Sequence, residues 1–186
     1  MNVMKLWRCA KYITVIAASS SLGAQAAAAL SLPLTCYQVP LHTVQLCVAV
    51  TRADYGPFDD VVFYRQDAQQ QLTYLRSVSG GVATFSVQDF SANGEVVALA
   101  WAEEGHPTFE FYRTADLLTA NRQPEPLAVL AEYPFSHLDV IGDDGQVVYG
   151  SDEPFDAQRC AARPALPALS DPQLCHRLLQ LPDTAN

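Results

Sequence analysis

The side chains able to do chemistry in this sequence are four histidines, several adjacent carboxylates and five cysteines. His42, His106, His137 and His176 are scattered along the chain. They form no HExxH metal pair, and there is no GxSxG nucleophile elbow and no glycine-rich phosphate loop. Asp59-Asp60, Glu103-Glu104 and Asp152-Glu153 are neighbours in sequence. Neighbours on a strand point to opposite faces, so none of these pairs is an acid–base couple by itself. Asp143-Asp144-Gly145 lacks the alternating ligands and distal glutamate of a calcium loop, and reads as a turn. No catalytic set, metal site or cofactor is expected, and the chain reads as a non-enzyme.

The cysteines and the N-terminus speak to compartment. Lys5, Arg8 and Lys11 form a basic start, Tyr12 to Ala18 is a short apolar run, and Ala24-Gln25-Ala26 is a small-x-small signal. This predicts a secretory signal peptide over 1–26, cleaved near Ala26, and one mature domain over 27–186. The apolar run falls short of the ~20 residues a membrane span needs, so no membrane insertion is expected. Four cysteines then remain: Cys36, Cys47, Cys160 and Cys175. In an oxidising compartment they suggest two disulfides, with three pairings open. Cys36–Cys47 and Cys160–Cys175 are favoured because each closes a short loop. Without a CxxC pair, zinc is the weaker reading.

Charge narrows the partner. The mature chain would carry 8 Arg, no Lys and 20 Asp+Glu, a net charge of 8 − 20 = −12. Phosphate contacts need a basic face, so nucleic acid is excluded as a partner. A basic protein surface is what such a field favours.

The elements that would position these residues are mostly strands. Apolar, β-branched and aromatic runs at 61–64, 72–75, 83–87, 96–101, 108–112 and 147–149 alternate with glycine-bearing turns. Asn93-Gly94 and Asp144-Gly145 are hairpin signals. Residues 90–97 match 141–148 at an offset of 51, and Phe63-Tyr64-Arg65 recurs as Phe111-Tyr112-Arg113. A unit of about 50 residues is the length of a β-propeller blade. Units over 36–75, 76–130 and 131–160 predict an all-β fold of repetitive antiparallel sheets, an incomplete propeller of two to three blades. Thr114 to Leu118 reads as one helical turn. Ser170-Asp171 followed by Pro172, with Leu174, Leu178 and Leu181 at i, i+4, i+7, predicts a short C-terminal helix.

One connection stands out. Glu103-Glu104-Gly105-His106-Pro107-Thr108 separates two apolar strands and reads as a polar loop longer than the turns elsewhere. Pro107 would stiffen it and so lower the cost of ordering it on binding. Asp54, Tyr55 and Phe58 occupy the equivalent place in the preceding repeat, and Tyr133 is a further aromatic anchor.

The order Leu34-Thr35-Cys36-Tyr37, Phe63-Tyr64-Arg65, Ser77-Val78-Ser79-Gly80-Gly81, Phe90-Ser91-Ala92-Asn93-Gly94 and Glu103-Glu104-Gly105-His106-Pro107 resembles the small periplasmic immunity proteins of type VI secretion systems. The likeness is to those that guard against papain-like peptidoglycan amidase effectors, and it covers most of the mature chain as an overall pattern. It implies a non-catalytic, mostly-β protein that plugs the Cys-His cleft of a cognate secreted amidase. Thr108 or His106 would then engage the catalytic imidazole, and Glu103 and Glu104 would meet basic residues at the cleft rim. The competing readings are a periplasmic protein-binding scaffold unconnected with any toxin, and a hydrolase.

Overall fold

A computed structural model describes residues 9–14, 31–52, 59–78, 84–103, 106–131, 137–162, 171 and 173–182. The described residues form three antiparallel meanders, each built of strands consecutive in sequence. The first sheet holds β1 (Cys9–Thr14), β2 (Ser31–Gln38), β3 (Gln45–Arg52), β4 (Asp59–Gln66) and β5 (Leu72–Val78). The second holds β6 (Thr84–Phe90), β7 (Val96–Glu103), β8 (His106–Arg113) and β9 (Ala128–Leu130), with a single short helix, α1 (Thr114–Thr119), between the last two. The third holds β10 (His137–Ile141), β11 (Gln146–Pro154) and β12 (Leu174–Gln180). The all-β, propeller-like expectation holds, and each of the three repeat units becomes one sheet.

Two details differ. The C-terminal segment is strand β12, not a helix. Its leucines fit a 3.6-residue period, but over so short an apolar run that period does not separate helix from strand. Pairing decides it: Val148 lies opposite Leu178 and Val147 opposite Leu179. The carboxylate of Asp171 accepts from Gln173 N at 2.8 Å, making a turn instead of a helix cap. The third unit therefore extends past 160 to recruit residues 174–180. The second detail is β1, which lies in the segment read as a leader and pairs along the edge of β2, from Cys9 opposite Cys36 to Thr14 opposite Ser31. As an edge strand it is separable: β2 to β5 form a four-stranded ladder without it.

Burial explains the layering. Val97 and Leu99 of β7 join a core shared with Val48, Val61 and Phe63 of the first sheet. Val96, Ala98 and Ala100, on the other face of the same strand, join a second core with Ile141, Val147 and Tyr149 of the third sheet. A strand covered on both sides needs no polar alternation, which is why 96–100 is an unbroken apolar run. Fully burying each valine, leucine or isoleucine among them is worth roughly 1.5–3 kcal/mol. A third, smaller cluster of Leu34, Cys36, Cys47 and Ala49 covers the far face of the first sheet. There the Cys36–Cys47 bridge joins residues directly opposite on β2 and β3. The second bridge is Cys160–Cys175, so both local pairings are the ones formed. Closing a 15-residue loop is worth about 3 kcal/mol in the chain-entropy picture.

The repeat is clearest at its turns. Gly94 N donates to Ser91 O at 2.9 Å, and Gly145 N to Gly142 O at 3.0 Å. The left-handed φ of +75° and +78° at these residues is the reason glycine follows Asn93 and Asp144. A third copy occupies 39–44, where His42 N donates to Val39 O and Val39 N to Val44 O. The three turns pack together. A Cβ on Gly94 would lie 2.3 Å from Pro40 O, and Asn93 N donates to Asp143 Oδ1 at 2.8 Å.

One buried cation ties the first two sheets. Arg76 of β5 is 2 % exposed. Its Nε donates to Gln123 Oε1 at 2.8 Å, and Nη1 donates to Leu117 O at 2.8 Å and Ala120 O at 3.2 Å. These carbonyls close the C-terminal end of α1, which prefers a positive charge. The guanidinium also covers the Phe63 ring at 4.5 Å. Burial pulls the Arg76 pKa down to about 10. Replacing Arg76 with Ala should cost about 3 kcal/mol, roughly 10 °C in melting temperature, through acceptors left unpaired. Arg76→Lys should recover less than half, because an ammonium does not span the same acceptors. Thermal melts of the two variants check this.

Tyr112 adds a pH dependence. Burial, and then its hydrogen bond to Glu110, push its phenol well above the ordinary value of 10.0. Above pH 10 the folded chain keeps a proton that the unfolded chain releases, so this contribution is complete below pH 10 and is lost as pH rises further. Denaturation at pH 9 and 10.5 should show a steeper loss in the wild type than in Tyr112→Phe; parallel losses would contradict it.

Candidate functional site

Strand direction sorts the connections into two ends. The packed turns at 39–44, 91–96 and 142–146 mark one end. Residues 53–58, 104–105 and 155–173 join β3 to β4, β7 to β8 and β11 to β12 at the other. The polar segment singled out in the sequence belongs to this second end.

That segment is shorter than its composition suggests. Glu103 lies opposite His106, Ala102 opposite Pro107 and Trp101 opposite Thr108, so only residues 104–105 lie between the strands. Pro107 and Thr108 are half-buried strand residues, not loop residues. Proline is tolerated because, among the described residues, β9 pairs with β8 only from Phe109 to Phe111, so Pro107 lies beyond that ladder. Glu104 and Gly105 lie outside the described residues, as do Asp54, Tyr55, Phe58 and Tyr133. Of Glu103 and His106, the backbone pairing alone is described.

What the structure supplies is a rigid base for the hairpin. Glu110 Oε2 accepts from Trp101 Nε1 at 2.7 Å and from the Tyr112 hydroxyl. Gln123 Nε2 donates to the same hydroxyl at 2.8 Å, and Gln123 is held in turn by Arg76. Phe85 packs tilted on Trp101 with centroids 4.6 Å apart and edge-on against Phe63 at 5.7 Å. Glu110 is thus committed as a structural acceptor.

The connection 155–173 is pinned by the Cys160–Cys175 bridge and by an aspartate turn, with Gln158 N donating to Asp156 Oδ1 at 2.8 Å and Cys160 N to Asp156 O at 2.8 Å. Arg159 lies 3.4 Å from Glu153, an exposed pair of small energetic weight. With Pro154, Asp156 and Cys175 they line an open depression of about 220 Å³, smaller than the ~300–1,000 Å³ typical of small-molecule sites.

Folding also gathers residues that sequence spacing kept apart. His137, Asp139 and His176 present ligand-type atoms all within 4.8 Å of one another. Scattered in sequence, His137 and His176 meet in the fold, because antiparallel pairing of β10 and β12 to β11 sets them on one rung. Alternation alone could not have found them: the signal is a glycine, Gly150, inside strand β11. His42 sits elsewhere, at the packed-turn end, where its ring would lie 3.0 Å from a Cβ on Gly94.

Among the described residues no helix is long and apolar enough to cross a membrane. The two disulfides fit an oxidising, exported environment. A scan of the chain against protein-family models finds no match, and a search of curated proteins finds none either.

Proposed function

We propose that this protein is a periplasmic immunity protein that binds a secreted, papain-like peptidoglycan amidase and occludes its active-site cleft. The observation that carries the reading is the β7–β8 hairpin, a two-residue tip between acidic and imidazole side chains, braced at its base by Trp101, Glu110 and Tyr112. A hairpin whose base is already held in place loses less entropy when it enters a cleft, so more of its contact energy appears as affinity. Its inhibitory chemistry is non-covalent. Hydrogen bonds from the tip to the catalytic imidazole would stop that ring activating the thiol. The acidic balance of the chain speeds encounter with a basic rim.

Affinity sets the size of the contact. Protection at nanomolar concentration corresponds to about −12 kcal/mol, and interfaces of that strength bury about 1,600 Å². One hairpin tip is too small, so the connections at 53–58 and 155–173, which leave the same end of their sheets, complete the surface in this reading.

The test is an inhibition assay. The purified, oxidised domain should abolish peptidoglycan cleavage by a papain-like amidase encoded beside it, and the association rate should fall as salt rises. Joint replacement of Glu103, Glu104 and His106 by Ser should raise the inhibition constant at least tenfold with an unchanged melting temperature. An unaltered constant would move the contact away from the hairpin. Failure of the wild type to slow cleavage would leave the scaffold reading in its place.

A further inference from the structure

His137, Gly150 and His176 form one rung across the third sheet, from β10 through the central β11 to β12. Residues directly opposite project their side chains from the same face. The central position has no side chain, and that matters: a Cβ on Gly150 would lie 2.4 Å from His137 Nε2 and 3.0 Å from His176 Nδ1. The two imidazoles lean over the glycine toward each other, with ring centroids 6.1 Å apart. The register of β10 shifts between Leu138 and Val140, which makes Asp139 the extra residue of a β-bulge. Bulges re-aim side chains, and this carboxylate arrives between the rings. Its Oδ1 lies 3.4 Å from His137 Nε2 and its Oδ2 2.7 Å from His176 Nδ1.

The tautomer of His176 is decided by its other nitrogen. Nε2 lies 2.7 Å from the carbonyl oxygen of Asp171, which only accepts, so Nε2 carries the hydrogen. In the neutral ring Nδ1 is then a bare lone pair. The residue is 1 % exposed, and no aligned hydrogen-bond partner reaches Nδ1. The nearby Asp139 oxygen is close but off the hydrogen-bonding axis, and it too is an acceptor. Two electron-rich atoms at 2.7 Å demand a positive charge between them. A shared proton would need a near-linear N–H···O path, which this pair lacks. A metal ion needs neither a linear N–H···O path nor only two donors, and His137 Nε2 supplies the third.

We propose that His137, Asp139 and His176 bind a zinc-class divalent cation on the outermost sheet. Two imidazole nitrogens and one carboxylate suit zinc and its first-row neighbours, whereas calcium and magnesium take oxygen ligands. Bonds of about 2.0–2.2 Å in a tetrahedron set ligand atoms about 3.4 Å apart; His137 and Asp139 already stand at that separation, and the 2.7 Å contact of Asp139 with His176 has to open on binding. The Asp171 carbonyl plays the part of the outer partner that orients a metal-bound imidazole. His137 and Asp139 are partly exposed, so the ion is reached from solvent and keeps its fourth position there. Bound, it clasps β10 to β12 across β11, at the same end of the third sheet as the Cys160–Cys175 bridge.

The experiment uses tag-free, fully oxidised protein titrated with zinc against a chromophoric chelator, and with cobalt followed by visible absorption. One ion per chain, tetrahedral-type cobalt bands and a higher melting temperature in zinc are expected. Asp139→Asn and His137→Gln, at partly exposed positions, should weaken zinc at least tenfold while melting normally without metal. Gly150→Ala should also weaken zinc, by filling the space between the rings, but with a lower melting temperature because its Cβ displaces His137, and His176→Gln is informative only if it folds. Absence of saturable zinc and cobalt binding would overturn the proposal. So would variants that bind as the wild type does, or nitrogen chemical shifts showing a doubly protonated His176 ring in the presence of zinc.

Discussion

A guanidinium taken out of water must find acceptors, and Arg76 finds them for Nε and Nη1 outside its own sheet, on α1 and the segment that follows it, while Nη2 makes no hydrogen bond among the described residues. Its donors reach the last carbonyls of α1 and the side chain of Gln123, while its face lies on Phe63. Gln123 passes the constraint to Tyr112, which passes it to Glu110 and so to Trp101. A charge buried on β5 thereby fixes the side chains at the base of the β7–β8 hairpin. Because an unpaired buried donor or acceptor costs more than a made bond gains, the chain of contacts holds as a unit, and the sheets cannot slide without breaking several at once.

The second sheet is the layer that makes the stack possible. Both of its faces are apolar, one toward the first sheet and one toward the third. Among the described residues each outer sheet packs on one neighbouring sheet, and covalent bridges sit there: Cys36–Cys47 in the first and Cys160–Cys175 in the third. A sheet covered on one side gains less from burial, so a crosslink offsets the deficit. A cation across the His137–Gly150–His176 rung would act in the same sense on the sheet with the fewest strands.

Much of the fold was legible in the residues. The NG and DG turns, the aromatic strands and the offset of about 50 residues lead to three sheets, because turn glycines and alternation report local backbone physics. The first turn, at 39–44, was hidden: it shares the hydrogen bonds of the other two but hardly any of their residue types. The C-terminal strand was misread because three leucines at helical spacing also fit a strand with a partner, and the partner lies about 30 residues away on β11. The polar segment at 103–108 was legible as a connection but not in length, since the register of β7 on β8 turns Pro107 and Thr108 into strand residues.

The sequence by itself determined the period of the repeat, the positions of the tight turns, the acidic balance and the short loops that the disulfides close. Each of these depends on a few neighbouring residues or on simple counting. Tertiary structure alone decided which faces of β7 and β8 are covered, where Arg76 finds its acceptors, and that His137, Asp139 and His176 meet over Gly150. Those are contacts between distant segments, set by sheet register and by a single bulge. A shift of one residue would turn every side chain of a strand to the other face, and no local pattern in the chain carries that information.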